Sequence, residues 1–210
     1  MSLFENRPNT RAFFSGIILA AIAVLCITGV LLAEHDTKPA IEHNRASREQ
    51  AIMEQLLPNL KNEAQGAMTY QCKLVSHPLI GTNMKAYIAT DSTGKIMGYV
   101  GTYATNRGYS NPLVLIAGLD TSGHLTKVDI AFTRETPGIG DKVERKRGTY
   151  LDQFDGLGLY DANWDVKKFN GDFDYFTGAT VTSRAVVLAT RDFLEVMMGT
   201  DLTTLPNCPN

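Results

Sequence analysis

Two threonines, Thr177 and Thr180, stand where small residues lead into an apolar pattern of helical period. The residues between them are Gly178-Ala179, and the pattern begins at Val181 and stops at Gly199. The first turn of a helix presents unpaired N–H groups and a partial positive charge, so it suits a phosphate. The two hydroxyls lie where such a phosphate would sit. The alternative is purely structural, with Thr177 or Thr180 capping the helix.

Composition limits the chemistry that this chain can perform. Its 210 residues carry a net charge of −2, which gives no electrostatic case for nucleic acid binding. The cysteines Cys26, Cys72 and Cys208 are far apart, and the four histidines have no metal-ligand spacing. We therefore expect no iron–sulfur cluster, no zinc site and no other metal site. If this protein handles electrons, it must use an organic cofactor.

The stretch from Phe13 to Ala33 carries no charged side chain and is long enough to cross a bilayer as a helix. A cleaved signal peptide is the alternative, but its apolar core is usually shorter. The best cleavage site would also place the bulky Leu31 three residues before the cut. We therefore predict an uncleaved transmembrane helix over residues 13–33, in contact with membrane lipid.

Charges beside this helix predict its orientation. Arg7 and Arg11 precede it, and the first basic residue after it is Lys38. The positive-inside rule then places residues 1–12 in the cytoplasm and residues 34–210 outside it. Cys72 and Cys208 would be the only thiols of the exported part, and either a disulfide or two unrelated cysteines fits the sequence.

The predicted helices and strands in the rest of the chain favour an α+β fold. Residues 34–69 are predicted to form a helical stalk and linker, with a helix that opens at Pro39 and ends before Pro58. Residues 70–210 are predicted to form one domain with a mostly antiparallel, twisted sheet covered by helices. Two hairpins are expected, with turns at Asp91-Ser92-Thr93-Gly94 and Asp120-Thr121-Ser122-Gly123. The predicted strands are Tyr70–Ser76, Met84–Thr90, Ile96–Tyr103, Pro112–Leu119 and Leu125–Thr133.

Three features together resemble a known family: the anchor with an exported domain, the loop Glu135-Thr136-Pro137-Gly138-Ile139-Gly140, and the segment Asp174-x-x-Thr177-Gly178-Ala179-Thr180. The family is that of RsxG (RnfG), the FMN-binding protein of the Rnf electron-transport complex. It is related to the FMN-binding C subunit of the sodium-translocating NADH:quinone reductase. The resemblance extends over essentially the whole chain.

The resemblance implies that FMN is joined by a phosphodiester to Thr180, with Thr177, Gly178 and Ala179 around the phosphate. It also implies an exported flavin transferase that uses FAD and magnesium, releases AMP and recognises Asp174. Thr182 is the nearest rival acceptor, although the family motif ends at Thr180.

The resemblance further implies which residues lie near the flavin ring. The loop with Glu135, Thr136, Gly138 and Ile139 would lie against it, and backbone groups near Thr136 and Ile139 would meet its polar edge. Lys167 would place a positive charge near the reduced flavin, or would be an ordinary surface lysine. Two aromatic residues could stack on the ring, Tyr109 and Trp164, although core packing is the expected role of Trp164.

The family implies an electron-relay subunit of an ion-translocating ferredoxin:NAD oxidoreductase complex, with no catalytic residues of its own. Its partners would be the cluster- and flavin-bearing subunits of that complex, in a bacterial inner membrane with the C-terminal domain in the periplasm. Two alternatives remain: a stand-alone anchored flavin reductase acting on an exported substrate, and a flavin-free anchored binding module.

Overall fold

The computed structural model describes residues 8–58, 63–64 and 66–209, and within its first helix the side chains of residues 14–32, 34, 37 and 51–56. The chain divides into two compact units, Met1–Ala51 and Ile52–Asn210. Helix α1 spans Pro8–Leu56. It contains Phe14–Leu32, a stretch of 19 residues with mean hydropathy 2.6 whose side chains are exposed. Length and composition alone would let this stretch cross a membrane.

The boundaries of α1 differ from the predicted ones. We expected a separate helix to open at Pro39, whereas α1 continues through that residue. A proline removes one helical hydrogen bond, which can kink a long helix without ending it. The predicted orientation depends on residues outside the described part of the structure. Arg7 is not described at all, and the side chains of Arg11 and Lys38 are not described.

The second unit is built on a five-stranded sheet in which each strand pairs antiparallel with the next along the chain. This confirms the predicted α+β fold with an antiparallel sheet, and no parallel pair occurs among the named strands. Alternating and β-branched residues favour these strands. Strands β1 to β5 span Thr69–His77, Gly81–Thr90, Ile96–Thr105, Leu113–Asp120 and Leu125–Phe132.

Both predicted hairpins are present, and each is closed by an aspartate. The Asp91 carboxylate accepts hydrogen bonds from the amides of Thr93 and Lys95 at 2.9 and 3.0 Å. The Asp120 carboxylate accepts from the amides of Ser122 and His124 in the same way. A side chain that satisfies turn amides fixes the register of the strands on both sides.

One face of the sheet is covered by helix α2, which spans Thr180–Gly199. The ring of Phe193 on α2 stacks on Tyr103 of β3, with 4.4 Å between ring centroids. The Tyr103 hydroxyl lies 3.0 Å from the Thr190 hydroxyl, and burial raises the pKa of Tyr103 far above its ordinary value. A Cβ atom at Gly101 would come within 2.5 Å of the Phe193 ring, so this glycine permits the close packing of α2 on β3.

The opposite face is covered by the end of α1 and the residue that follows it. Met53, Leu56 and Leu57 are at most 2% exposed. They pack in a second apolar cluster with residues of β2, β3 and β4, namely Tyr87, Ala89, Met97, Val100 and Ile116. The second unit therefore begins at Ile52, inside the segment from which we expected a stalk, because these side chains complete the core.

Residues 133–179 connect β5 to α2 and are mostly irregular. Aromatic side chains hold this connection together, among them Phe154, Trp164 and Phe173, whose ring centroids lie 4.9 to 6.2 Å apart. Trp164 is buried and donates to the Leu159 carbonyl at 2.8 Å, so it packs in the core. The short 3₁₀ helices of the connection are Gly140–Val143, Arg145–Arg147, Tyr150–Phe154 and Lys167–Phe169.

The C-terminal tail follows a further 3₁₀ helix, Leu202–Thr204, and lies beside β1. Cys72 and Cys208 form a disulfide with their Cα atoms 5.4 Å apart. Next to it the Leu74 amide donates to the Pro206 carbonyl at 2.9 Å. Of the two alternatives that the sequence left open, the structure has the disulfide, and the tail covers the edge of the sheet that β1 would otherwise expose.

Candidate functional site

A cavity of about 590 Å³ lies at the start of α2, between that helix, the loop after β3 and the loop after β5. Seven of the residues predicted to surround a flavin line it: Tyr109, Glu135, Thr136, Ile139, Gly178, Ala179 and Thr180. Gly140, Lys168, Val181 and Thr182 complete the lining. Residues far apart in the sequence thus meet at one site of a size typical of cofactor pockets.

The first turn of α2 forms one wall of the cavity. Ala179 is the N-cap residue, and no side chain makes a capping hydrogen bond there. The predicted structural alternative, a cap by Thr177 or Thr180, is therefore absent. Thr180 is half-buried on the wall, and the positive end of the helix dipole faces the cavity. Gly178 has φ of +91°, a conformation that glycine adopts without strain, and it turns the chain into the helix.

The two candidate acceptor threonines differ in their surroundings. Thr182 is 1% exposed, and its hydroxyl donates to Glu135 Oε2 at 3.0 Å. Thr180 is more accessible, and it is the first residue of α2, directly after the N-cap residue Ala179. Of these two hydroxyls on the cavity wall, Thr180 is the one that an incoming group can reach.

The loop after β5 forms the opposite wall. The Ile139 and Gly140 amides both donate to the Thr136 carbonyl at 3.1 Å, and the Gly138 amide donates to Asp141 Oδ1 at 2.6 Å. These amides, which we expected near the polar edge of a ring, are thus used inside the loop. Gly138 lies in this turn with φ of +77° rather than on the cavity wall. The Ile139 side chain is 50% exposed and supplies an apolar edge.

Neighbouring lysines at the site have different surroundings. Lys167, the predicted flavin neighbour, donates to Asp174 at 2.6 Å and is not part of the cavity lining. Lys168 lines the cavity, and among the described residues it has no carboxylate partner. Successive side chains of a 3₁₀ helix point about 120° apart, so only one of two adjacent lysines can face the cavity. The sequence shows the lysine pair but not which member faces inward.

A second cavity of about 350 Å³ adjoins the first and shares Lys168, Thr180 and Val181 with it. Two arginines also line it, but both are paired: Arg107 with Asp192 at 2.6 Å, and Arg184 with Asp165 at 2.7 Å. Lys168 is therefore the one cation lining these two cavities that has no carboxylate partner within the described part of the chain.

The Arg184–Asp165 pair holds the connecting segment against α2. Two hydrogen bonds join them, at 2.8 and 2.7 Å. Burial of the carboxyl acts to raise the pKa of Asp165, but the hydrogen bonds from Arg184 and the Val166 amide and the positive charges of Arg184 and Arg191 together outweigh it and hold that pKa below its ordinary value. Asp165 precedes Lys168 in the chain and Arg184 follows it on α2. The pair therefore holds the segment that carries Lys168 close to the helix.

Several known proteins are similar to this chain. The FMN-binding domain family matches residues 108–195. The G subunit of the ion-translocating oxidoreductase complex of Shewanella oneidensis is 35% identical over 192 residues, which cover 89% of this chain and 88% of the relative. The protein of the same name from Escherichia coli K12 is 34% identical over 200 residues, which cover 92% and 95%. This chain belongs to that G-subunit family.

A solved structure also resembles this member of the G-subunit family. The crystal structure of NqrC from Shewanella oneidensis has 22% sequence identity to it and a TM-score of 0.44, over 59% of this chain and 63% of that one.

The FMN-binding domain of this G-subunit protein contains the whole cavity. Every lining residue, from Tyr109 to Thr182, falls within the matched residues 108–195. The cavity also has the groups that FMN needs: a helix N-terminus and a lysine for the phosphate, and apolar side chains beside polar ones for the ring. The residues present therefore fit this cofactor.

Proposed function

We propose that this chain is an electron-relay subunit of a membrane-bound ion-translocating ferredoxin:NAD oxidoreductase complex of the Rnf type, with FMN attached by a phosphodiester to Thr180. The accessibility of Thr180 at an uncapped helix start is the observation that carries this proposal. When bound, FMN supplies the ability to accept and pass on one or two electrons. The chain's own residues hold, orient and surround it.

The charges at the site support attachment at Thr180. A phosphodiester keeps one negative charge, which the unpaired N–H groups of the first helical turn and the Lys168 ammonium would stabilise. Thr177, Gly178 and Ala179 leave space beside it because their side chains are small. A covalent tether keeps the flavin at high effective concentration at the cavity.

Maturation of this site would need a flavin transferase that reaches the segment around Asp174. The Asp174 side chain is 71% exposed, and its one described ion pair is with Lys167, whose side chain is 59% exposed. An exposed pair of this kind is weak and opens easily. Asp174 is therefore available for recognition by a second protein.

Other subunits of the complex would exchange electrons with the flavin across the mouth of the cavity. Tyr109 is 75% exposed, and Ile139, Val181 and Phe169 are about half exposed around the two adjoining cavities. Exposed apolar side chains that cluster around a site favour contact with a partner. No catalytic residue is proposed, so the reaction belongs to the whole complex.

The proposed location is a bacterial inner membrane, with α1 as a single-pass anchor and the sheet domain in the periplasm. The apolar stretch Phe14–Leu32 and the Cys72–Cys208 disulfide support this location, since disulfides persist in oxidising compartments. The proposed domain bounds are those of the sequence prediction, residues 1–12, 13–33, 34–69 and 70–210, with Met53, Leu56 and Leu57 at the end of α1 packed on the sheet of the last of these.

The covalent flavin can be tested directly. The full-length protein is co-expressed with a flavin transferase, run on a denaturing gel and inspected for flavin fluorescence. We expect fluorescence in the wild type and in the control Thr182→Val, and none in Thr180→Ala. A wild type without fluorescence contradicts the covalent flavin, and retention in Thr180→Ala with loss in Thr182→Val moves the site to Thr182.

The relay role has a separate test. In mild detergent the protein should co-purify with subunits that carry flavin and iron–sulfur clusters. A flavin-loaded protein that purifies alone and reduces an exported substrate by itself would favour the stand-alone reductase instead.

A further inference from the structure

Glu135 is a buried carboxylate on the cavity wall that joins two other segments of the chain. It is 6% exposed. Its Oε1 atom accepts a hydrogen bond from the Ser110 amide at 3.0 Å, and its Oε2 atom accepts from the Thr182 hydroxyl at 3.0 Å. One side chain thus connects the loop after β3, the loop after β5 and the first turn of α2.

Space for this carboxylate depends on two glycines. A Cβ atom at Gly108 would lie 2.9 Å from Glu135 Oε1, and one at Gly140 would lie 2.6 Å from Oε2. Any larger residue at either position would displace the carboxylate. The backbone on both sides is therefore shaped around Glu135, and we regard its position as a built feature of the site.

The charge of Glu135 has no cationic partner among the described residues. Its donors are a neutral amide and a neutral hydroxyl. Burying a carboxylate without a counter-ion opposes stability, and a hydrophobic or amide side chain would avoid that cost. A carboxyl group that is buried on a cavity wall, with the backbone of Gly108 and Gly140 shaped around it, points to a role toward the bound group.

We propose that Glu135 is a positioning residue of the flavin site, and that its negative charge lowers the reduction potential of the flavin held there. The inference rests on the proposed function. Adding electrons to a flavin adds negative charge unless a proton follows each electron, and a fixed carboxylate nearby disfavours that added charge. The hydrogen bonds of Glu135 also hold α2 and the loop after β3 at the spacing that the cavity requires.

The test compares three variants of the full-length, flavin-loaded protein in detergent. Glu135→Gln keeps the shape and both connections, because its amide oxygen accepts from Ser110 and its NH₂ group donates to the Thr182 oxygen, but it removes the charge. Thr182→Val keeps the charge and removes one connection. Glu135→Ala removes the charge and both connections.

Two readouts separate charge from position. In a redox titration we expect a more positive flavin potential for Glu135→Gln and Glu135→Ala, and a potential near that of the wild type for Thr182→Val. In hydrogen exchange we expect faster exchange of the Ser110 amide in Glu135→Ala but not in Glu135→Gln. An unchanged potential in flavin-loaded Glu135→Gln overturns the electrostatic role, and unchanged Ser110 exchange in Glu135→Ala overturns the positioning role.

Failure of the proposed function would be recognised separately. Flavin content is measured by mass for each variant, so an absent flavin in the wild type counts against the attachment at Thr180. The exchange measurement is repeated in the Thr180→Ala background, which needs no flavin. If Glu135→Ala does not fold, the positioning role is tested by Thr182→Val, for which we expect faster exchange of the Ser183 amide, which donates to the Ala179 carbonyl at the start of α2, and unchanged exchange there overturns it.

Discussion

At the scale of single residues, the site depends on which of two similar neighbours faces the cavity. Thr180 and Thr182 are two positions apart on α2, yet only Thr182 is buried and hydrogen-bonded to Glu135. Lys167 and Lys168 are adjacent, yet only Lys168 lines the cavity. The sequence motif located the threonine pair, but the choice between the lysines required the turn of the 3₁₀ helix, which no local pattern specifies.

The lysine pair gives a prediction with a matched control. Lys168→Gln removes a positive charge at the cavity, so the flavin potential should become more negative, opposite in sign to Glu135→Gln. Lys167→Gln should leave the potential nearly unchanged, because its partner is Asp174 outside the cavity. A redox titration of both flavin-loaded variants measures this, and equal shifts in the two would contradict the assignment of Lys168.

At the scale of secondary-structure elements, the sequence predicted the strands and hairpins but not the packing of the end of α1 and of the connecting segment. The strands and both hairpins were predictable because Asp91 and Asp120 close their turns locally. The covering of the second face by Met53 and Leu56 was not, because it depends on contacts distant in sequence. For the same reason, the sequence did not predict the ion pair between Asp165 and Arg184 that holds the connecting segment on α2.

The Asp165–Arg184 pair predicts a pH dependence of stability. The pKa of Asp165 is lowered in the folded protein, so its contribution is present above the pKa of the unfolded chain, ordinarily about 4, and is lost as pH falls through the lower folded value. Arg184 is 40% exposed, so solvent screening limits the contribution to about 1 kcal/mol. Asp165→Asn should reduce stability by about that amount at pH 7, and the difference should vanish at acidic pH.

Denaturant unfolding at several pH values measures this effect. The control is Glu195→Gln, an exposed position on the same helix. Its stability should follow the wild type at every pH. A loss in Asp165→Asn that persists unchanged at low pH would show that packing, not ionisation, is responsible.

At the scale of the whole molecule, the second unit needs the end of α1 to complete its core. Residues Met53, Leu56 and Leu57 cover a face of the sheet that contains Tyr87 and Val100. We therefore expect the minimal folding unit to start near Ile52, where the second compact unit begins. The sequence prediction placed the start of the domain at residue 70, and no local pattern in the sequence shows that Met53, Leu56 and Leu57 pack on the sheet.

Two truncations test this boundary. Residues 52–210 should fold as a stable domain, whereas residues 59–210 should lose on the order of 5 kcal/mol, because three buried side chains at about 2 kcal/mol each are removed. Denaturant unfolding and binding of a hydrophobic dye to the exposed sheet compare the two. Equal stability of the two fragments would contradict the role of α1 in the core.

The order of the strands in the sheet affects the order in which the elements of this protein fold. Each strand pairs with its sequence neighbour, so the sheet forms through short-range closures that cost little entropy and proceed quickly. The packing of α2 on β3 and the joining of Cys72 to Cys208, 136 residues apart, both require distant segments to meet. We therefore expect α2, the element that carries Thr180, to dock after the sheet has formed. If Thr180 is the acceptor as proposed, the chain would present it on an already formed sheet while the surrounding walls are still closing, and a flavin transferase would have a defined period in which to act.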